Sequence, residues 1–185
     1  NSPDRFLSES VKNQRIHTYS TSGSTGTPLE IRYSTEMHQI WSAAYEQRCR
    51  HWAGLNHRMS RAMLGGRLVV PRGIALPPYW RYNLAERQIY LSAFHISPQN
   101  TPLYVDVLNR HKPDYLVGYA SGYYFLARFI LEQKLTVFRP KAILTSSEKM
   151  TDEMRSTIQN AFGCKVFDAY SGVEACCLAS ECEYH

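Results

Sequence analysis

Between Ser20 and Pro28 the chain sets six hydroxyl side chains and two glycines in nine residues, Ser20-Thr21-Ser22-Gly23-Ser24-Thr25-Gly26-Thr27-Pro28. Glycines reach φ > 0, so Gly23 and Gly26 can turn backbone N–H groups into one concavity. The hydroxyls of Thr21, Ser22, Ser24, Thr25 and Thr27 add donors suited to phosphate oxygens. This is not a Walker-type loop, which requires a lysine directly after its last glycine, where this chain has Thr27. An ordinary Ser/Thr/Gly surface turn has the same composition, and composition alone leaves both readings open.

Polar and aromatic residues also gather at four further places: Phe94-His95, Gly118-Tyr119, Thr145-Ser146-Ser147-Glu148, and Asp168 to Glu174. Each follows a run expected to be a strand. In a parallel α/β sheet, ligands sit at the carboxyl ends of the strands. Any one of these places reads equally well as a turn after a strand; four of them with the hydroxyl loop are harder to dismiss. Near the end of the chain, Cys176, Cys177, Cys182 and His185 have the spacing Cys-Cys-x4-Cys-x2-His. Thiolates and an imidazole so spaced can hold a structural Zn²⁺, and small buried cysteines are the competing reading.

The run Thr-Ser-Gly-Ser-Thr-Gly-Thr-Pro-Leu from Thr21 to Leu29 resembles the phosphate-loop signature of adenylate-forming enzymes, the acyl-CoA synthetase superfamily. Within it the chain is most similar to the phenylacetate–CoA ligase branch, including relatives found with capsular polysaccharide genes. Tyr170 and Glu174 match that superfamily's Tyr-Gly-x-Thr-Glu motif, four apart in both. The resemblance implies ATP-dependent activation of a small-molecule carboxylic acid to an acyl-adenylate, then transfer to coenzyme A. It assigns phosphate binding to Thr21, Ser22, Gly23, Ser24, Thr25, Gly26 and Thr27. It places Ser147 and Glu148 on one side of the adenine, and Asp168, Ala169, Tyr170 and Ser171 on the other. Glu174 becomes the Mg²⁺ ligand, in keeping with the preference of that ion for carboxylate and phosphate oxygens. Phe94, Gly118 and Tyr119 fall in the acid pocket, with Ala120 where the family has proline. His95 falls beside the substrate carboxylate as a catalytic candidate, against the commoner role of a hydrogen-bonded structural histidine. The cysteine cluster also has its counterpart in that branch.

Two positions depart from the motif: Ser171 replaces its glycine, and Val173 replaces the hydroxyl residue that meets the α-phosphate. Val173 keeps open a second reading, a nucleotide-binding or regulatory homologue that makes no adenylate. A plain α/β interaction domain with a Ser/Thr-rich turn is the third. Against the family pattern, residues 1–185 read as part of the large N-terminal domain. The start of that domain, the ribose-binding aspartate and the C-terminal domain with its lysine are expected to lie elsewhere.

The elements that would position these residues follow from periodicity. Extended runs at 15–19 and 29–33 flank the hydroxyl loop. Ser34 or Thr35 caps a helix that Gly54 ends. Residues 61–70 read as strand, Gly-Gly turn, strand, and 71–82 as irregular. Strands at 89–94, 115–119, 141–145 and 165–169 alternate with helices at about 101–111, 123–134 and 152–162, the third of these capped by Thr151 and ended by Gly163. The helix at 123–134 is apolar nearly all round and is expected to be buried. This alternation is the signature of βαβ units and a mainly parallel sheet.

Composition bounds the rest. With 185 residues, 44% hydrophobic and 20% charged, the chain has ordinary globular material for one domain or part of one. Its formal charge of +5 suits an anionic ligand but is too small and scattered to argue for nucleic acid. No apolar run reaches the length of a membrane span. An odd count of five cysteines argues against a disulfide framework and for a reducing, cytoplasmic setting.

Overall fold

The computed structural model describes residues 8–11, 14–21, 26–182 and 184. The hydroxyl-loop residues Ser22, Gly23, Ser24 and Thr25, together with His185, lie outside the described residues.

A short antiparallel ribbon comes first, β1 (Ile16–Ser20) with β2 (Glu30–Ser34), in which Tyr19 pairs with Ile31 and Thr18 with Arg32. Its neck is closed by two hydrogen bonds, from Thr21 N–H to Leu29 O (3.0 Å) and from Leu29 N–H to Thr21 Oγ1 (2.9 Å). Helix α1 (Thr35–Tyr45) starts where Ser34 Oγ accepts the Met37 N–H at 3.1 Å. The expected helix to Gly54 is not one α-helix. It passes into a π-helical turn, Glu46–Arg50, then a 3-10 turn, His51–Ala53, and ends at Gly54 with φ +73°.

The main sheet holds β3 (Arg61–Gly65), β4 (Trp80–Asn83), β5 (Gln88–Ser92), β6 (Tyr115–Tyr119), β7 (Ala142–Ser146), β8 (Lys165–Ser171) and β9 (Leu178–Ser180), in the order β4-β5-β3-β6-β7-β8-β9. The five inner strands are parallel, and both edge strands run antiparallel to their neighbours. The α/β expectation holds, with corrections at the edges. Residues 67–70 do not form a strand: the Tyr119 hydroxyl packs against Gly66, and the Arg67 guanidinium turns back over the Tyr90 ring at 4.9 Å. Trp80–Asn83, which begins inside the segment read as irregular, pairs with β5. The strand read as 89–94 stops at Ser92, and Ala93–His95 forms a 3-10 turn.

Helices α2 (Thr101–His111), α3 (Ala120–Glu132) and α4 (Asp152–Phe162) cover one face of the sheet. Alternate strand residues supply that core: Ala62, Leu64, Ile89, Leu91, Leu116, Ile143 and Val166 pack with Tyr104, Leu108, Tyr123, Leu126, Ile130, Ile158 and Phe162. The other face carries a smaller cluster of Leu55, Tyr115, Ala142, Leu144 and Phe167. Burial of α3 is one-sided rather than complete, since Phe125 and Leu131 keep 45% and 42% of their surface. Thr151 Oγ1 caps α4 by accepting the Met154 N–H, and Gly163 at φ +67° ends it. Among the described residues no helix is long and apolar enough to cross a membrane.

Candidate nucleotide and acid site

Because β5, β6, β7 and β8 run the same way, their carboxyl ends share one edge of the sheet. That edge gathers the residues singled out in the sequence. Between the ends of β7 and β8 lies a cavity of about 440 Å³, lined by Ser147, Glu148, Lys149, Met150, Asp168, Ala169, Tyr170 and Ser171. Six of these eight were expected from the sequence; Lys149 and Met150 were not, although they follow Glu148 directly. Tyr170 is 74% exposed, so its ring face is free to stack on a planar ligand. Glu148 Oε2 also accepts the Ser121 N–H at 2.8 Å and ties the β7 turn to the first turn of α3.

Asp168 is half-buried and bound into a network. Its Oδ1 accepts the Thr145 hydroxyl at 2.6 Å, and its N–H donates to Glu181 Oε2 at 2.8 Å. Arg155 donates to Glu181 (Nη1 to Oε2, 3.1 Å) and also, through Nη1, to Val166 O at 2.7 Å. Burial raises the Asp168 carboxyl above the usual carboxylate range, and the Glu181 charge adds to this, while Thr145 and Arg155 oppose it. Nothing in the sequence pointed to Arg155 or Glu181: Glu181 reaches Asp168 only when β9 pairs with β8, and Arg155 joins it from α4.

Glu174 is exposed and makes no ion pair among the described residues; its Oε2 lies over the Cα of Gly172, where an added Cβ would stand 2.5 Å away. Burial is the main cause that raises the Tyr33 phenol, and the negative charge of Glu174 comes next. The ribbon carrying the hydroxyl loop therefore lies within electrostatic reach of the Glu174 turn. Gly26 stands in open space, with nothing within 4 Å of an added Cβ.

The acid-pocket residues separate. Tyr119 lines a second cavity of about 390 Å³ with Ala93, Ile96, Ser121, Gly122, Phe125 and Phe129. Gly118 is buried instead against the Leu64 backbone, with φ +153° and room for no Cβ, since Leu64 O would lie 1.9 Å from it. Phe94 is 42% exposed and lies under the Arg72 guanidinium at 4.2 Å. His95 stacks on Tyr79, with ring centroids 4.6 Å apart, and its Nδ1 lies 2.8 Å from Ser92 Oγ.

The cysteine cluster does not assemble a metal centre among the described residues, where no group of three His, Cys, Asp or Glu side chains converges. Cys176 and Cys177 are exposed and Cys182 is half-buried.

The fold is that of the N-terminal domain of adenylate-forming enzymes: a mixed α/β unit around a mainly parallel sheet. A 2-hydroxyisobutyryl-CoA ligase in the postadenylation state superposes with TM-score 0.56 at 17% identity, over 85% of this chain and 32% of that one. The anthranilate CoA ligase AuaEII, in complex with anthranoyl-AMP, gives TM-score 0.52 at 19% identity, over 85% of this chain and 29% of that one. In sequence, the chain is 32% identical over 171 residues to the protein CapK of Staphylococcus aureus, across 92% of its own length. It spans 38% of the length of CapK. No protein-family profile matches the sequence.

Proposed function

We propose that the chain forms the nucleotide- and acid-holding wall of an ATP-dependent carboxylic acid–CoA ligase, of the phenylacetate–CoA ligase type. The observation that carries this reading is the shared strand-end edge: a cavity beside an exposed tyrosine, a carboxylate with no ion pair among the described residues, and the β1–β2 ribbon, whose Tyr33 lies within electrostatic reach of that carboxylate. In this reading Tyr170 stacks on the adenine, while Ser147 and Ala169 close the cavity walls. Thr21, Gly26 and Thr27 stand at the base of the loop that grips the phosphates. Glu174 is the side chain that would hold Mg²⁺, which offsets phosphate charge when bound. Its exposure and the lack of an ion pair to it among the described residues fit that use. The acid's carboxylate oxygen attacks the α-phosphorus, pyrophosphate leaves, and the thiol sulfur of coenzyme A then displaces AMP from the acyl carbon. His95 serves the carboxylate, and Tyr119 borders the acyl group. The described cysteines do not fit a zinc site by themselves, and no step is assigned to one.

Val173 favours a second reading. It is 41% exposed where the family motif has a hydroxyl residue, which suits a homologue that holds ATP without forming an adenylate. ATP–pyrophosphate exchange by the full-length protein, run with a panel of carboxylic acids, separates the two. Exchange with at least one acid supports the ligase; ATP binding without exchange supports the homologue; neither activity nor binding removes both.

A further inference from the structure

We propose that Ser92 is a positioning residue that fixes the His95 ring with its hydrogen on Nε2, so that His95 meets the bound acid as a hydrogen-bond donor; this rests on the ligase reading above. Ser92 ends β5 and is fully buried, at 0% exposure. Its Oγ lies 2.8 Å from His95 Nδ1, its one side-chain hydrogen bond among the described residues. A buried hydroxyl hydrogen needs an acceptor, and the bare Nδ1 is the acceptor in reach. Either atom of this pair can donate; in the proposed arrangement Ser92 is the donor, so that the neutral ring carries its hydrogen on Nε2.

The surroundings hold this pair from several sides. Tyr79 lies flat on the imidazole, 12° from parallel. Ser92 N–H donates to Tyr79 O at 2.9 Å, and the Tyr104 hydroxyl donates to Ser92 O at 2.6 Å. Asn100 Nδ2 donates to His95 O at 2.9 Å. Ring plane, backbone and inner nitrogen are all fixed, yet Nε2 is buried with no partner among the described residues. A buried N–H without an acceptor is costly, and an oxygen brought by a ligand removes that cost. The first residue of the turn, Ala93, and the residue that follows it, Ile96, line the apolar cavity at Tyr119. His95 itself does not line that cavity, so it is the ligase reading that makes the ligand an acid, its carboxylate oxygen meeting Nε2–H and its apolar part lying toward Tyr119.

The test is ¹⁵N NMR of the histidine-labelled chain at a pH where the ring is neutral, with His95 assigned by its loss in His95→Gln. In wild type, Nδ1 is expected as a hydrogen-bonded acceptor and Nε2 as the protonated nitrogen. Ser92→Ala should move Nδ1 toward a free acceptor, and Ser92→Thr should restore it. In the full-length protein, Ser92→Ala should lower kcat for exchange on the order of ten-fold with KM for ATP unchanged, and Ser92→Thr should recover it. A hydrogen on Nδ1 in wild type overturns the proposal, as does a Ser92→Ala protein with unchanged Nδ1 resonance and kcat. Where no acid supports exchange, the ligase reading falls and the spectra alone decide for or against Ser92. Should Ser92→Ala fail to fold, the wild-type spectrum decides.

Discussion

Asp114 and Asp168 stand at opposite ends of the same parallel sheet, in opposite electrostatic surroundings. Asp114 precedes β6 and binds the residues that precede β3 and β7. Its Oδ2 accepts the Ser60 N–H (2.9 Å) and hydroxyl (2.8 Å), and its Oδ1 pairs with Lys141 Nζ at 2.9 Å. Burial alone would raise this carboxyl, but Lys141 and the Ser60 hydrogen bonds together hold it below the usual range. Asp168, opposite Thr145 near the carboxyl end of β7, is held by a neutral hydroxyl and a backbone amide, and burial with Glu181 keeps it raised. One end of the sheet is a satisfied clamp across three adjacent strand starts. The other holds the raised Asp168, the exposed Tyr170, and Nε2 of His95, which has no partner among the described residues. On the proposed reading ligand chemistry belongs to the second end, where an open α/β sheet presents the carboxyl ends of its strands.

The hardest way to break that division is at Gly118, which belongs to the site end but serves packing. Gly118→Ala drives a Cβ into Leu64 O of the neighbouring strand, 1.9 Å away, and neither backbone can yield cheaply. The expected loss is about 3 kcal/mol or more, read as a lowered urea midpoint. A midpoint within experimental error of wild type would return Gly118 to the acid pocket as a lining residue.

A smaller effect tests the clamp. Asp114→Ala removes three hydrogen-bonded contacts to Ser60 and Lys141 on a side chain that is 28% exposed. The expected cost is about 1–2 kcal/mol, with ATP affinity unchanged because the clamp lies at the far end of the strands. Weakened ATP binding in a folded Asp114→Ala protein would show that the two ends are coupled.

Much of the site end was legible in the sequence because each of its parts is local. Ser34, Thr151 and Gly163 announce helix ends by residue type, and the strand–turn segments at Thr145 and Asp168 are continuous runs. What stayed hidden was non-local. The clamp joins Ser60, Asp114 and Lys141 across three strands, and Glu181 reaches Asp168 only through the three-residue strand β9. Such a short strand carries no periodic signal, and its neighbouring cysteines pointed to metal chemistry instead. The edge strand β4 was masked by Pro77-Pro78, which read as irregular chain. Ser92 and His95 stand three apart in sequence, but their hydrogen bond depends on the strand giving way to a 3-10 turn at Ala93.

The subtlest expected effect is the pH dependence of stability, where the two aspartates should pull in opposite directions. The Asp114 carboxyl is lowered from 3.8, so the unfolded chain binds its proton first as the pH falls. Its contribution is therefore present above 3.8 and is lost as the pH drops through the lowered folded value. The Asp168 carboxyl is raised from 3.8, so the folded chain keeps that proton to a higher pH than the unfolded one. Its stabilising contribution is present below 3.8 and is lost as the pH rises through the raised folded value. Urea midpoints of wild type, Asp114→Asn and Asp168→Asn, followed from pH 3 to pH 7, resolve the two. The deficit of Asp114→Asn should grow from acid toward neutral pH. Asp168→Asn should gain on wild type over the same interval, because its neutral amide avoids the charged form that burial and Glu181 disfavour. Parallel curves for the two variants would remove the electrostatic distinction between the ends of the sheet, leaving geometry alone to separate clamp from site.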